Sequence, residues 1–332
     1  MKVLVATGGT GGHLFPAQQL KALLPDCDLL FAGYKLAETP FFDRKTPYQE
    51  IAAAPLQKIL PFLLASWKGF WQSIALIRRY QPDVVVGFGS FYSFPVLLAS
   101  LILRKKIVLF EANCTLGKVN RFFAPFAAKM ALQFPMQQKN SVYVHLFPKQ
   151  TKLPSASAAR KALGLHPNLF TILVFGGSQG AVFINQTFCA AASLLKFPFQ
   201  VIHLTGKEDP EIKYQVPSVV KPFEKEMDLA YASADIAVCR CGAGTTAELI
   251  RYQKPAVLIP YPYAYDHQKK NGEFLKEGAR LLLQSEANPE RLAAEIDALR
   301  GEIEMRKEVL KQIEIPETLD FGAVVRAVGA KQ

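Results

Sequence analysis

The stretch Lys2-Val-Leu-Val-Ala-Thr-Gly-Gly-Thr-Gly-Gly-His13 decides the fold class, because a short apolar run passes directly into a glycine-rich turn. The run has the length and composition of a buried strand, and a helical pattern follows the glycines. The stretch Thr171-Ile-Leu-Val-Phe-Gly-Gly-Ser-Gln-Gly-Ala181 repeats this design in the second half of the chain. Glycines let a ligand approach the backbone closely, and the start of a helix favours an anion. Both stretches therefore indicate phosphate-binding turns, although each is also compatible with a plain strand-to-helix connection.

The rest of the chain alternates short apolar runs with helical patterns. Such alternation predicts parallel sheets covered by helices on both faces, in two doubly wound, Rossmann-like α/β domains. Strands are predicted near 2–6, 28–32, 83–87, 106–110, 129–133, 170–175, 200–204, 218–220, 235–239, 255–259 and 279–283. Helices are predicted near 13–24, 94–103, 117–123, 181–193, 226–232, 245–252, 267–276, 289–299 and 302–311. The expected domains are 1–150 and 151–332, and a last helix over Asp320–Val328 is a candidate to cross back to the first domain.

Composition excludes several classes of protein. The chain has 332 residues, of which 50% are hydrophobic and 20% are charged, so it can bury sizeable cores and is not disordered. Its five Cys form no C-x-x-C pair, which argues against a disulfide scaffold or a zinc site. One D-x-D pattern, Asp26-Cys-Asp28, resembles a cation-binding pair, but it precedes a predicted strand instead of following one. We therefore predict no metal site and no organic cofactor.

Positive charge is concentrated in the first half of the chain. Residues 1–150 carry 17 Lys and Arg against 7 Asp and Glu, whereas residues 151–332 carry 22 against 21. This asymmetry indicates an anionic partner such as phosphate, acidic lipid or nucleic acid, or else an inert basic surface. Only the charge favours RNA, since no stacking-aromatic motif accompanies it, and no nucleic-acid partner is expected.

Two apolar segments bear on contact with a membrane. Val84–Leu103 is uncharged and long enough to span a bilayer, but Gly87-Phe-Gly-Ser90 interrupts it. A strand, a turn and a buried helix are therefore predicted there. Leu56–Ile77 contains Trp67 and Trp71 among Leu and Phe, with basic residues between them. This second segment is compatible with a helix in the membrane interface and equally with an ordinary loop and packed helix.

A third polar cluster follows a later predicted strand. Cys239-Arg-Cys-Gly-Ala-Gly-Thr-Thr-Ala-Glu248 ends a strand, turns and opens a helix. Glu248 is placed to accept both hydroxyls of a ribose, and Thr245-Thr246 to donate to a phosphate. Farther along, Gln268 and Asn271 share a helix face and are candidates to bind sugar hydroxyls. Several polar helix starts at the carboxyl ends of strands favour a ligand site over generic helix capping.

These motifs resemble the MurG family of peptidoglycan glycosyltransferases, and the resemblance covers nearly the whole chain. The motifs that carry it follow the family's order: Gly8–Pro16, Gly176–Ala181, Val201–Gly206, Cys239–Glu248 and Gln268-x-x-Asn271. The resemblance implies the GT-B fold, in which two Rossmann-like domains face a cleft. It also implies inverting, metal-independent transfer of GlcNAc from UDP-GlcNAc to lipid I, which makes lipid II for peptidoglycan. The substrate-binding residues implied are Thr10, Gly11, Gly12, Asn113, Ser178, Gln179, Glu224, Ala243, Gly244, Thr245, Thr246, Ala247, Glu248, Gln268 and Asn271.

The resemblance also indicates which residues do the chemistry. An acceptor hydroxyl must lose its proton as it attacks, so a general base that titrates near neutral pH suits the reaction. His13, which matches a histidine at the family's active centre, is the first candidate, and Glu111, at the end of another predicted strand, is the second. A structural role for His13 remains an alternative. Helix N-termini and loop hydroxyls are expected to stabilise the departing UDP.

The chain departs from the family pattern at several positions. The family's H-E-Q-N is Phe110-Glu-Ala-Asn113 here, and its G-G-Y loop is Gly89-Ser-Phe91. Cys241 and Gly244 change the usual C-R-S-G-A-L-T, and only Lys149 stands near the family's N-P-V-R arginine. The departures affect one donor contact and the acceptor side of the expected site.

The resemblance finally implies partners and a location. Lipid I, an undecaprenyl-diphosphate-MurNAc-pentapeptide, is anionic, so the acceptor is expected in the basic first domain and UDP-GlcNAc mainly in the second. The first domain would face an anionic membrane surface, with the protein peripheral on the cytoplasmic face of the bacterial inner membrane. The alternatives are a UDP-GlcNAc 2-epimerase, another GT-B transferase with a lipid acceptor, and a basic peripheral-membrane binding protein without activity.

Overall fold

The protein folds into two compact units. The first unit combines Met1–Pro148 with the C-terminal segment Ile315–Gln332, and the second unit is Lys149–Glu314. The chain therefore leaves the first unit once and returns to it at its end. The computed structural model describes residues 1–8, 11–39, 42–54, 59–145, 154–177, 179–206, 212–263, 266–313 and 319–330.

Short apolar runs form the strands, and longer amphipathic segments form the helices between them. The strands are β1 (Lys2–Ala6), β2 (Asp28–Gly33), β3 (Tyr48–Glu50), β4 (Val84–Gly87), β5 (Ile107–Glu111), β6 (Lys129–Leu132), β7 (Ser141–His145), β8 (Thr171–Phe175), β9 (Gln200–Leu204), β10 (Ser218–Lys221), β11 (Ile236–Cys239), β12 (Ala256–Leu258), β13 (Arg280–Leu281) and β14 (Leu319–Asp320). The helices are α1 (Gly11–Leu23), α2 (Ile59–Tyr80), α3 (Phe94–Ile102), α4 (Lys118–Phe123), α5 (Ala156–Ala162), α6 (Val182–Ala192), α7 (Met227–Ser233), α8 (Ala243–Arg251), α9 (His267–Phe274), α10 (Pro289–Gly301), α11 (Ile303–Gln312) and α12 (Phe321–Gly329).

The strands of each unit form a parallel sheet. The order is β14-β7-β6-β5-β4-β1-β2-β3 in the first unit and β10-β9-β8-β11-β12-β13 in the second. Central strands such as β4, β5 and β8 are buried along their whole length, as expected when helices cover both faces. The predicted class, two doubly wound α/β domains with parallel sheets, is confirmed.

Each sheet has a topological switch point. The chain moves outward in opposite directions from β1 and β4 in the first sheet, and from β8 and β11 in the second. Ligands of open α/β sheets bind outside the carboxyl ends of the strands at such points. The glycine-rich loops lie there, because they follow β1, β4 and β8 directly.

The C-terminal helix α12 packs on the first unit. Strand β14, which precedes it, pairs with β7, and the ring of Phe321 lies 5.3 Å from that of Phe110 and 6.0 Å from that of Phe88. Gly322 is required at this contact, since a Cβ there would lie 2.5 Å from the carbonyl oxygen of Leu23. Phe321 of α12 thus packs against the residue that follows β4 and against a residue near the end of β5.

The apolar segments considered for membrane contact contain a strand and two helices. Val84–Leu103 contains β4, a glycine turn and α3, as predicted. Leu56–Ile77 falls largely within the long helix α2, whose residues from 59 onward are among those described. Within the described ranges, no helix is long and apolar enough to cross a membrane.

Candidate functional site

His13 lies at the switch point of the first unit with one ring nitrogen already engaged. It sits in the first turn of α1, where Thr7 Oγ1 donates to its carbonyl oxygen. The Nδ1 atom of His13 is 2.8 Å from the carbonyl oxygen of Phe88, the residue that follows β4. Because a carbonyl oxygen only accepts hydrogen bonds, Nδ1 carries the proton in the neutral ring. Nε2 then presents a lone pair, which is the tautomer that a general base requires.

The turn after β4 fixes the carbonyl that orients His13. Gly89 has φ +73°, and a Cβ there would lie 3.6 Å from the His13 ring and 3.3 Å from Asn120 Nδ2. The hydroxyl of Ser93 donates to the carbonyl oxygens of Gly89 at 2.6 Å and Ser90 at 2.8 Å, which holds the turn from inside. The position of His13 therefore depends on a close-packed, internally bonded turn.

Glu111, the second catalytic candidate, is buried at the end of β5 and already accepts four hydrogen bonds. Its Oε1 accepts from the backbone N–H of Asn113 at 3.1 Å and from Asn113 Nδ2 at 2.9 Å. Its Oε2 accepts from the N–H of Gly117 at 2.8 Å and from Asn120 Nδ2 at 2.9 Å. Both carboxylate oxygens of Glu111 are thus engaged in holding the loop that follows β5, so the geometry favours His13 as the base.

Asn120 is a structural partner that sequence reasoning missed. It is buried in α4 and also donates to the carbonyl oxygen of Phe110 at 2.8 Å, so it ties the helix to the end of β5. The signal was a lone amide in the apolar run Val119-Asn-Arg-Phe-Phe123. In the first unit, His13, Gly89, Asn120 and Glu111 thus form one connected group.

The glycine-rich loop of the second unit requires its glycines. Gly177 has φ +93° and Gly180 has φ +80°. A Cβ on Gly180 would lie 2.2 Å from the carbonyl oxygen of Thr205, so only glycine fits beside this neighbouring loop. The loop leads into α6, whose first amides are available to an anion.

Several predicted substrate contacts belong to the glycine-rich loops. Thr10 and Ser178 lie outside the described residues. Gly11 opens α1, and Gly12 and Gln179 are exposed. Among the described positions, Gly11 and Gly12 lie in the first turn of α1 and Gln179 precedes α6, where backbone amides are available to an anion.

Of the two threonine hydroxyls in the first turn of α8, one is accessible and the other already makes a hydrogen bond within the helix. Gly242 caps the helix, which begins with Ala243 and the exposed Gly244. Thr246 is buried, and its Oγ1 donates to the carbonyl oxygen of Gly242 at 3.0 Å. Thr245 is only partly buried. Thr245 is therefore the better placed of the two predicted phosphate donors.

Glu248 is the carboxylate of the second unit's switch point. It follows the half-buried Ala247 on α8, and its Oε2 accepts a hydrogen bond from the hydroxyl of Tyr231 at 2.8 Å. Burial raises the pKa of Glu248 to about 7, against an ordinary value near 4.5. The group therefore titrates near neutral pH, and its hydrogen bonds decide which form prevails.

Gln268 and Asn271 have different surroundings although they share α9. Gln268 is partly exposed, and its Oε1 accepts from the backbone N–H of Tyr261 at 2.9 Å, which fixes the orientation of the amide. Asn271 is fully buried and donates to the carbonyl oxygen of Cys241 at 3.0 Å. Asn271 therefore holds the loop after β11, and its contact with sugar hydroxyls stays a prediction.

The side chain of Glu224 is committed to its own loop. One oxygen accepts from the backbone N–H of Glu226 at 3.0 Å, and the other lies 2.9 Å from Lys221 Nζ. These two contacts, the backbone N–H first, lower the pKa of Glu224. The side chain of Glu224 is therefore engaged within its own loop, and its contact with substrate stays a prediction.

Metal-ligating side chains do not converge in the part of the chain that the structure describes. There, no group of three or more His, Cys, Asp and Glu side chains is close enough to hold an ion. Asp28 of the D-x-D pattern begins β2, so it lies at the amino end of its strand, away from the glycine-rich loops.

Comparison with known families classifies the protein. The glycosyltransferase family 28 N-terminal domain matches residues 3–132, and the glycosyltransferase family 28 C-terminal domain matches residues 171–318. Together these matches cover most of the chain, and the protein belongs to glycosyltransferase family 28.

Two individual relatives match this chain over nearly its whole length. A protein of Protochlamydia amoebophila named UDP-N-acetylglucosamine--N-acetylmuramyl-(pentapeptide) pyrophosphoryl-undecaprenol N-acetylglucosamine transferase is 40% identical, over 92% of this chain and 89% of its own. A protein of Thermodesulfovibrio yellowstonii with the same name is 32% identical, over 93% and 92%. The resemblance drawn from the sequence motifs is thereby confirmed.

Solved structures share the fold. The crystal structure of Acinetobacter baumannii MurG superposes with a TM-score of 0.76 at 24% identity, covering 98% of this chain and 99% of that one. The glycosyltransferase VinC, solved in complex with DTDP, gives a TM-score of 0.70 at 15% identity, covering 99% of each chain. At these identities the likeness concerns architecture alone, and it confirms the expected GT-B fold.

Proposed function

We propose that the protein transfers GlcNAc from UDP-GlcNAc to lipid I, with inversion at the anomeric carbon, and so makes lipid II for peptidoglycan. The observation that carries the proposal is the orientation of His13, whose Nδ1 is held by the Phe88 carbonyl while Nε2 remains a proton acceptor at the switch point. The curated relatives, which match nearly the whole chain, bear the name of this activity.

The donor binds mainly to the second unit in this proposal. The amides at the start of α6 and α8 receive the diphosphate, with Thr245 as a hydroxyl donor. Glu248 accepts the ribose hydroxyls, and Nε2 of Gln268 donates to the sugar. The base meets the backbone at Glu224, whose side chain is engaged within its own loop.

The reaction is a single displacement. The acceptor hydroxyl oxygen forms a bond to the anomeric carbon while the bond from that carbon to the UDP oxygen breaks, and its electron pair leaves with UDP. The hydroxyl proton passes to Nε2 of His13 and then to solvent. Amides at the helix N-termini stabilise the charge that develops on UDP. Glu111 holds the loop from Asn113 to Gly117 through its four hydrogen bonds and takes no proton.

A membrane contact through the first unit completes the proposal. Helix α2 exposes Leu60, Leu63, Leu64, Trp67 and Trp71 at helical spacing, so they form one apolar stripe. Trp67 and Leu64 are 65% and 64% exposed, which is unusual for such side chains.

Further exposed aromatic side chains belong to the same unit. Phe94 of α3 packs against the buried Phe62 of α2 and against Phe122 of α4, and Phe122 and Phe126 are each 53% exposed. With the excess of Lys and Arg in the first half of the chain, this surface suits the anionic headgroups of a bilayer. We infer a peripheral position on the cytoplasmic face of the inner membrane, where lipid I is available.

An acceptor-dependence assay tests the proposed activity. We expect UDP release from UDP-GlcNAc only when lipid I is added, with the label recovered in the lipid fraction. Conversion of UDP-GlcNAc without any acceptor would favour a 2-epimerase. Transfer to a different lipid but not to lipid I would favour another lipid-acceptor glycosyltransferase, and the absence of turnover with intact membrane binding would favour a binding protein.

A further inference from the structure

We propose that Tyr231 is a positioning residue for the donor site, where it fixes the Glu248 carboxylate so that one oxygen is kept for the ribose. This inference rests on the proposed function, because it assumes that Glu248 meets the nucleotide. Tyr231 belongs to no sequence motif identified above, and it lies on α7, next to the helix that carries Glu248.

Packing holds the Tyr231 ring in one place. The side chain is fully buried, it stacks on Tyr252 with centroids 4.8 Å apart and planes at 10°, and Phe175 meets its edge at 5.9 Å. Burial also raises the pKa of Tyr231 well above its ordinary value, so the phenol remains a donor at any physiological pH. A rigid phenol therefore donates to Glu248 from a fixed direction.

The hydrogen bond from Tyr231 gives the two carboxylate oxygens of Glu248 different roles. Oε2 of Glu248 accepts from the Tyr231 hydroxyl at 2.8 Å. Oε1 has no hydrogen-bond partner among the residues that the structure describes. Because the carboxylate cannot rotate without losing the Tyr231 bond, Oε1 keeps a constant orientation toward a ligand hydroxyl.

The groups around Glu248 explain why the hydrogen bond from Tyr231 affects the charge of the Glu248 carboxyl group. Burial, and secondarily Asp228 of α7, raise its pKa, whereas the Tyr231 hydroxyl and Arg251 of α8 lower it. The remaining polar neighbours are Tyr252, which directly follows α8, and the buried thiol of Cys239 on β11, which are neutral at pH 7. Removing the Tyr231 hydroxyl thus favours the protonated form of Glu248. This form is a poorer hydrogen-bond acceptor for the ribose hydroxyls than the carboxylate is.

UDP binding by calorimetry between pH 6 and pH 8.5 tests the inference. We expect Tyr231→Phe to raise the Kd for UDP about fivefold to tenfold at pH 7.5 and to move the acid limb of binding to higher pH, with kcat at saturating donor little changed. Tyr252→Phe is the matched control, because it removes a hydroxyl from the same stacked pair while leaving the Glu248 bond intact. It should keep the wild-type Kd for UDP at pH 7.5.

A double-mutant comparison separates positioning from simple packing. Glu248→Gln should weaken UDP binding and abolish the acid limb, and Tyr231→Phe added to it should cause no further loss, since Tyr231 acts through Glu248. Additive losses, or a Tyr231→Phe protein that melts earlier but binds UDP as the wild type does at every pH, would overturn the inference. Failure of the proposed function has a different signature, in which the wild-type protein shows no saturable UDP binding.

Discussion

At the scale of single residues, the chemistry depends on how one imidazole is oriented. We expect His13→Gln to lower kcat for GlcNAc transfer by a factor of about 10² to 10⁴, because the amide retains polar contacts but cannot take up a proton. The KM for UDP-GlcNAc should change little, since the donor is bound mainly by the second unit. Initial rates at saturating lipid I give both kcat and the KM for UDP-GlcNAc.

The control for this variant is His166→Gln, which alters an exposed histidine of the second unit. It should leave both kcat and KM unchanged. Wild-type kcat in the His13→Gln protein would exclude His13 as the base and return attention to Glu111, despite the four hydrogen bonds it already accepts.

Ser90 occupies a backbone conformation that suits glycine. Its φ of 72° and ψ of 145° lie in a region that non-glycine residues enter only at a cost of about 1–3 kcal/mol. We expect Ser90→Gly to raise the free energy of unfolding by about 1 kcal/mol after the entropy cost of glycine is subtracted. Ser90→Ala keeps the Cβ and loses the bond from Tyr92 N–H, so it should be less stable than wild type. Denaturant unfolding that ranks both variants below wild type would contradict this account.

This position also shows what the sequence can and cannot reveal about single residues. The departure from the family's G-G-Y loop was visible at Ser90, but its consequence required the backbone angles. His13 and Glu248 were predictable because glycine-rich turns and strand ends are local in sequence. Asn120 and Tyr231 were missed because their roles come from tertiary contacts 9 and 17 residues away in the chain.

At the scale of elements, a buried histidine joins a strand, a helix and a loop in the second unit. His203 of β9 is 0% exposed; its Nε2 lies 3.1 Å from Asn185 Oδ1 on α6, and its Nδ1 lies 2.7 Å from the hydroxyl of Tyr214. Asn185 Nδ2 donates to the carbonyl oxygen of Thr205, so Oδ1 must accept from His203. In the neutral ring, Nε2 carries the proton, Nδ1 is the acceptor, and the Tyr214 hydroxyl donates to it.

This arrangement makes stability depend on pH. Burial lowers the pKa of His203 to about 4 in the folded protein, from about 6.5 when unfolded. Below pH 6.5 the unfolded chain binds a proton that the folded chain does not, so stability falls as pH falls, by about 3 kcal/mol between pH 7 and pH 4. Urea unfolding of His203→Gln should show a shallower loss over this range.

The control is again the exposed His166, whose replacement by Gln should keep the wild-type pH dependence. Equal slopes for wild type and His203→Gln would show that His203 is not the group responsible.

Sequence reasoning missed β3, β7, β14 and α5, and two of these strands show why. Strand β3 covers only Tyr48–Glu50 at the sheet edge and is partly exposed, so it lacks the apolar run that marks a buried strand. Strand β14 has two residues and exists because β7 offers it an edge. The central strands were predictable because burial on both faces demands continuous Val, Ile and Leu.

At the scale of the whole molecule, the surface of the first unit determines access to a lipid acceptor. We expect replacement of Trp67 and Trp71 by Glu to lower binding to phosphatidylglycerol vesicles about tenfold, because the apolar stripe is lost and negative charge faces anionic lipid. Transfer to a short-chain, water-soluble lipid I analogue should remain at wild-type rates. Co-sedimentation and activity are measured on the same preparations.

The matched control for this surface is Met305→Glu, which places a charge on an exposed apolar residue of the second unit. Vesicle binding should be unchanged in that variant. Equal binding by all three proteins, or equal binding to neutral and anionic vesicles, would contradict the proposed membrane face.

The central claim is that the protein joins GlcNAc from UDP-GlcNAc to lipid I in one displacement. The most direct measurement is NMR of the lipid product formed from UDP-GlcNAc labelled with ¹³C at the anomeric carbon. The account predicts a single labelled disaccharide lipid with a β linkage, inverted from the α linkage of the donor. An α-linked product, or labelled carbon found only in a nucleotide sugar after turnover, would contradict it.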